Sequence, residues 1–131
     1  MTDRLTRTRS WLVAVLVGYG TAVTAADDQR NAWRIECKGG ADAHGQVVLS
    51  FSEDGAEITR ISVAIPNDTP ENNVARRIRK ELRQFLSKDT YGVDIDGGET
   101  VVVIARNPAR RFEIGLVQNN VPGTEIVVSR E

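Results

Sequence analysis

Apolar and polar residues alternate over much of the chain, which is the pattern of strands that bury one face. The first alternating segment, residues 33–37, ends at a pair of glycines. A second covers residues 46–51, and a third covers residues 61–65. Ile58 has the opposite parity to the third segment, which indicates a bulge or a two-sided strand beside it.

One segment has helical periodicity, and we predict a helix over residues 70–87. Thr69 is a good N-cap, Pro70 suits the first helical position, and Glu71 complements the positive end of the helix dipole. At 100° per residue the apolar side chains fall within an arc of about 120°. They are Val74, Ala75, Ile78, Leu82, Phe85 and Leu86. Because one helix cannot bury such a stripe alone, we expect it to lie on the apolar face of a sheet.

The strand pattern resumes after the helix. Residues 92–95 lead into an Asp-Gly-Gly turn, and residues 100–105 form a β-branched run that is typical of a central strand covered on both faces. Two more strands are predicted over residues 112–116 and 125–129. Short turns favour antiparallel pairing, because parallel strands need a long crossover connection. We therefore predict an α+β fold: a mainly antiparallel sheet of six or seven short strands with one amphipathic helix packed on one face.

The composition is that of a globular protein. Of the 131 residues, 40% are hydrophobic and 27% are charged, which is too apolar for intrinsic disorder. With 11 Gly and four Pro, the chain is neither collagen-like nor of low complexity. The single Cys excludes a disulfide-stapled mini-protein. One Cys and one His also exclude a zinc site built from such ligands, which needs three or four of them.

The strongest functional signal lies at the N-terminus. Arg4, Arg7 and Arg9 precede an apolar run over residues 11–17, and small residues follow. A basic region, an apolar region and a small-residue exit in this order are typical of a secretory signal peptide. A retained membrane anchor needs about 20 apolar residues, and this run is shorter and is followed by two glycines.

We expect cleavage after Ala25, with Ala26 as the alternative. The chain then divides into a signal peptide, residues 1–25, and a single α+β domain, residues 26–131, located in the bacterial periplasm or secreted. No stable membrane anchor would remain after cleavage. Residues 1–25 hold three of the 17 basic and one of the 18 acidic residues, so residues 26–131 carry a net charge of −3. Such a charge does not favour a nucleic-acid partner.

In this acidic domain the outer face of the predicted helix concentrates positive charge. The candidate binding residues are Arg76, Arg79, Lys80 and Arg83. They indicate a contact surface for an anionic envelope component or an acidic protein. The alternative is a solvated face on which Arg77 pairs with Glu81, four positions further along the helix.

Other candidate sites are weaker. Residues 94–99 carry carboxylates at alternate positions, as a calcium loop does, but the EF-hand spacing needs Gly where Glu99 stands and Glu where Ala105 stands. A hairpin turn explains the same residues. His44 lies in a glycine-rich segment and is interpreted as a loop residue. Cys37 either occupies the core or forms an intermolecular disulfide.

We predict no catalytic residue, no metal and no cofactor. The first functional hypothesis is an exported, non-enzymatic binding domain of the cell envelope. A second hypothesis is a small exported hydrolase whose carboxylates converge only in the fold. A third is a structural subunit that assembles through strand edges.

Overall fold

The computed structural model describes residues 31–131, so the predicted signal peptide lies outside the described residues. The described chain forms seven strands and one helix, which confirms the α+β class. The elements are β1 (Ala32–Lys38), β2 (Gly45–Glu53), β3 (Thr59–Ile65), α1 (Glu71–Phe85), β4 (Tyr91–Asp96), β5 (Thr100–Ala105), β6 (Phe112–Asn119) and β7 (Glu125–Arg130).

The strands are divided between two sheets, and all their pairings are antiparallel. One sheet has four strands in the order β4-β5-β1-β7, and the other has three in the order β3-β2-β6. Alternation along a strand shows that one face is buried. The pattern of apolar and polar residues is the same whichever sheet the strand joins. The strands and their antiparallel pairing are as predicted, but they form two sheets where the sequence pattern led us to expect one.

The core lies between the inner faces of the two sheets and the apolar stripe of α1. The predicted inward residues of β2 and β3 are all buried. Each large apolar side chain buried in this way stabilises the fold by roughly 1.5–3 kcal/mol. The largest fully buried residues include Ile35, Leu49, Ile65, Ile78, Leu82, Val101 and Val103.

The helix closes the gap between the sheets on one side. It contacts β3 and β4, the edge strands of the two sheets, and reaches β1 and β5 behind them. On the other side, the edge strands β6 and β7 contact each other. The buried stripe of α1 thus faces both sheets, and its outer face is turned away from the core.

The start of α1 differs from the predicted cap. Pro70 occupies the N-cap position and makes no side-chain cap hydrogen bond. The prediction that Thr69 caps the helix is wrong: its buried hydroxyl donates to the carbonyl of Pro66 over 2.7 Å. Thr69 stands one position before the N-cap, so its hydroxyl is not the group that caps the first N–H groups of the helix.

Two further details depart from the sequence pattern. The β5 run is not covered on both faces throughout, because Ile104 is 47% exposed. The bulge or two-sided strand predicted beside Ile58 is not found, because the pairing of β3 with β2 has no register shift. The shift in this sheet lies between Val48 and Leu49 of β2, in its pairing with β6. Ile58 itself lies in the connection before β3 and is 65% exposed.

Candidate functional site

The four candidate binding residues form one stripe along the outer face of α1. At 100° per residue they span an arc of about 100°. We call this set the basic stripe: Arg76, Arg79, Lys80 and Arg83. Arg79 is half-buried and the other three are exposed. The stripe faces outward because the opposite side of α1, with Val74 and Ile78 among its buried residues, fills the space between the sheets.

The four side chains of the stripe differ in the hydrogen bonds and ion pairs that they make with other residues. Arg76 donates to the neutral side chain of Asn73 over 3.3 Å. Within residues 31–131, the side chains of Arg79 and Lys80 have no hydrogen-bond or ion-pair partner. Arg83 is engaged by an acid, because its Nη2 lies 3.0 Å from Oδ1 of Asp94. The stripe therefore offers three cations that no acidic side chain of residues 31–131 neutralises.

Two arginines of α1 also bind the strands beside the helix. Arg83 donates from Nε to the carbonyl of Val93 on β4 over 2.8 Å. Arg77 donates from Nη1 to the carbonyl of Ala64 on β3 over 3.4 Å, and not to Glu81 as in the alternative of a solvated face. Since β3 and β4 are edge strands, these bonds occupy carbonyl groups that would otherwise offer a template for another strand.

A groove of about 370 Å³ opens at the C-terminal end of the stripe. We call it the basic groove: its charged lining consists of Arg83, Lys88 and Arg106, together with Asp94. The Nε of Arg106 donates to the carbonyl of Lys88 over 2.6 Å. Its two Nη atoms lie beside Gly92, where an added Cβ would stand 3.7 Å from each. The absence of a side chain at Gly92 leaves this part of the groove open.

Sequence reasoning missed Lys88 and Arg106 because neither lies on the helix. One follows α1 and the other follows β5, and no periodicity links them. The signal that could have found Arg106 is the register of the hairpin formed by β4 and β5. A tight turn at residues 97 and 98 places Arg106 opposite Thr90, and the Arg106 N–H donates to the Thr90 carbonyl over 2.9 Å.

A second cavity of about 360 Å³ lies beside the segment that joins α1 to β4, and Leu86 and Tyr91 line both this cavity and the basic groove. We call it the aromatic cleft. At its polar end the Tyr91 hydroxyl donates to Oε2 of Glu53, and Arg110 Nη1 donates to the same oxygen over 3.0 Å. Burial and the hydrogen bond to Glu53 hold the pKa of Tyr91 well above its ordinary value. No motif or periodicity in the sequence points to any of these three residues as part of a site.

The apolar part of this cleft is built around Phe51. The ring centroid of Phe51 lies 5.9 Å from that of Phe85, 5.5 Å from that of Tyr91 and 5.9 Å from that of Phe112. Phe85 was expected within the buried stripe of the helix, but its side chain is 45% exposed. The ring is held edge-on against Phe51, with an interplanar angle of 74°.

The remaining candidates from the sequence, Cys37, His44 and the turn after Asp96, belong to the core, to a loop and to a hairpin. Cys37 is fully buried in the core, and burial, reinforced by Glu71, raises the pKa of its thiol from 9.0 to about 12. His44 is exposed in the loop before β2. The predicted hairpin turn after Asp96 is confirmed, with positive φ angles at both glycines.

Comparison with the known protein families and with curated proteins finds no match for this chain. Within residues 31–131, no helix has the length and apolarity needed to cross a membrane. No group of three or more His, Cys, Asp or Glu side chains in this part of the chain is placed to hold a metal ion.

Proposed function

We propose that this chain is an exported, non-enzymatic domain of the cell envelope that binds an anionic partner through α1. The observation that carries the proposal is the continuity of positive charge along this side of the molecule. Arg83 belongs both to the basic stripe and to the basic groove, so the two surfaces form one track. The export signal read from residues 1–25 supports the envelope location.

The donors along this track suit carboxylate or phosphate groups. Arg106 uses its Nε for the Lys88 carbonyl, while its two Nη atoms lie at the open side of Gly92. A guanidinium fork binds planar or tetrahedral oxyanions through paired hydrogen bonds. Arg79 and Lys80 add positive charge that no described residue pairs. Several anionic groups in a row would therefore find a partner along the helix.

The surroundings of the stripe favour an extended anionic polymer over a folded acidic protein. The residues beside the cations are polar, with Asn72, Asn73 and Gln84 exposed around them. Stable protein interfaces have an apolar or aromatic centre that excludes water, and this face has none among the described residues. Insertion into a lipid surface is disfavoured for a related reason, because the apolar side of α1 is buried between the sheets.

The experiment is a binding titration with polyglutamate and with polyphosphate, which separate carboxylate from phosphate recognition. The double variant Arg76→Glu/Lys80→Glu should lower the affinity about tenfold at low salt, and added salt should shrink the difference. Arg83 is left intact because its bonds to β4 also support the fold.

The matched control is Lys38→Glu/Arg60→Glu, which makes the same change of charge on β1 and β3, outside the stripe and the groove. It should retain the affinity of the unmodified protein within about twofold. Equal losses of affinity in the two double variants would show that the effect depends only on net charge, which would contradict the proposal. Absence of binding to either polymer would contradict it as well.

A further inference from the structure

The aromatic cleft has the chemistry of a small-ligand site, and its charged residues, Glu53, Glu57 and Arg110, are not those of the basic track. Its volume of about 360 Å³ falls in the range of small-molecule clefts, roughly 300–1,000 Å³. It is bounded by the connection between β2 and β3, by the segment after α1 and by Arg110. Four hydroxyl side chains line it besides Tyr91: Ser52, Thr59, Ser87 and Thr90.

The polar end presents an acceptor and donors side by side. Oε2 of Glu53 is occupied by Tyr91 and Arg110, whereas Oε1 receives no hydrogen bond from residues 31–131. Arg110 has five guanidinium N–H donors, and its bond to Glu53 uses one. A ligand group that both donates and accepts, such as a hydroxyl, can engage both residues at once.

The apolar wall is the ring of Phe85. At 45% exposure it offers a flat apolar surface, and its edge-on contact with Phe51 holds it in place. The C–H face of a pyranose ring packs well on such a surface, while its hydroxyls point to the sides. The hydroxyl-lined rim of the cleft and the pair of Glu53 and Arg110 lie where those groups need partners.

The charges of the cleft disfavour an anionic ligand, and its hydrogen-bond donors favour a ligand that has acceptors. Glu53 and Arg110 compensate each other, and Glu57 adds a second carboxylate to the lining. An anionic ligand would approach two carboxylates with only one guanidinium to offset them, and a cationic group has no acceptor for the remaining N–H donors of Arg110. We infer that the aromatic cleft binds a neutral saccharide of one or two pyranose rings.

The test is an amide NMR titration of the isotope-labelled protein with maltose, cellobiose and N,N′-diacetylchitobiose. At least one sugar should shift the amide signals of Glu53, Ser87 and Arg110. Phe85→Ala and Glu53→Gln should each weaken that binding about tenfold. The control Ile104→Ala removes a side chain of similar exposure from β5, outside this cleft, and should leave the affinity unchanged.

Each of the following outcomes would overturn the inference. The first is that none of the sugars binds, and the second is that the shifted signals lie outside the cleft. The third is that the Phe85→Ala and Glu53→Gln variants bind the sugar as well as the Ile104→Ala variant does. Butylamine serves as a cationic probe, and a response to it without a response to the sugars would also overturn the inference. The Arg76→Glu/Lys80→Glu variant should retain sugar binding, so failure of the basic track and failure of the cleft are distinguishable.

Discussion

Nε of Arg83 lies 2.8 Å from the carbonyl oxygen of Val93, so a residue of the outward basic stripe is bound to the edge strand β4. Arg77 makes the corresponding contact with Ala64 on the other edge strand, β3. The helix is therefore fastened to both sheets by its polar face as well as by its apolar face. Not every cation on this helix is available to a partner.

Removal of the Arg83 side chain should destabilise the fold. Arg83→Ala loses the hydrogen bonds to Val93 and Asp94, and we expect a loss of about 1 kcal/mol because the group is half-exposed. Arg79→Ala is the matched control, since Arg79 has no side-chain partner among the described residues. It should change the free energy of unfolding by no more than about 0.5 kcal/mol. Urea unfolding measures both, and equal losses would contradict the role assigned to Arg83.

The buried thiol of Cys37 predicts a loss of stability in alkaline solution. Its pKa is about 12 in the folded protein against an ordinary value of 9.0, so the folded state keeps a proton that the unfolded chain releases. Between about pH 9 and pH 12 the unfolded state binds fewer protons, and the free energy of unfolding falls as the pH rises. Below pH 9 this contribution is fully present.

Urea unfolding over a pH series tests this prediction, with Cys37→Ala as the comparison. The variant has no thiol to ionise and should lose stability less steeply across this window. Tyr91 acts in the same direction at higher pH, because its pKa is raised too, so Tyr91→Phe separates the two contributions. An identical slope in the protein and in Cys37→Ala would refute the assignment to the thiol.

Two glycines with similar backbone angles should respond differently to alanine. Gly39 has φ +85°, and an added Cβ would lie 2.3 Å from the carbonyl oxygen of Gly123. Gly55 has φ +78°, and no atom of the described residues lies within 4 Å of that position. We expect Gly55→Ala to cost about 1 kcal/mol from backbone strain alone. Gly39→Ala should cost about 3 kcal/mol or more, since main chain must move. Equal unfolding midpoints in urea would show that the contact between Gly39 and Gly123 is unimportant.

The export hypothesis predicts a defined N-terminus. When the full chain is expressed in a bacterial host with a secretion pathway, the exported product should begin at Ala26, or one residue later. N-terminal sequencing and intact mass of the secreted or periplasmic fraction measure this. Replacement of the small residues at 23 and 25 by large ones, Val23→Trp and Ala25→Trp, should block cleavage and retain the precursor. A full-length protein found only in the cytoplasm would refute the hypothesis.

The sequence alone was sufficient for those features that depend on neighbours along the chain. Alternation at Val47, Leu49 and Phe51 predicts the buried face of β2, because side chains two apart share a face. Helical periodicity predicts which side of α1 is buried, and so which side carries Arg76 and Lys80. The Asp-Gly-Gly turn after β4 follows from the backbone freedom of glycine at positive φ.

Only the tertiary structure decided which distant residues meet. Glu53 lies 38 positions from Tyr91 and 57 from Arg110, and sheet pairing brings the three to one cleft. The same holds for the two-sheet division, for the groove where Arg106 joins Arg83, and for the exposure of Phe85. Periodicity reports the face on which a side chain lies, because that is set by local backbone geometry. What covers that face is set by long-range packing, which no local pattern of residues encodes.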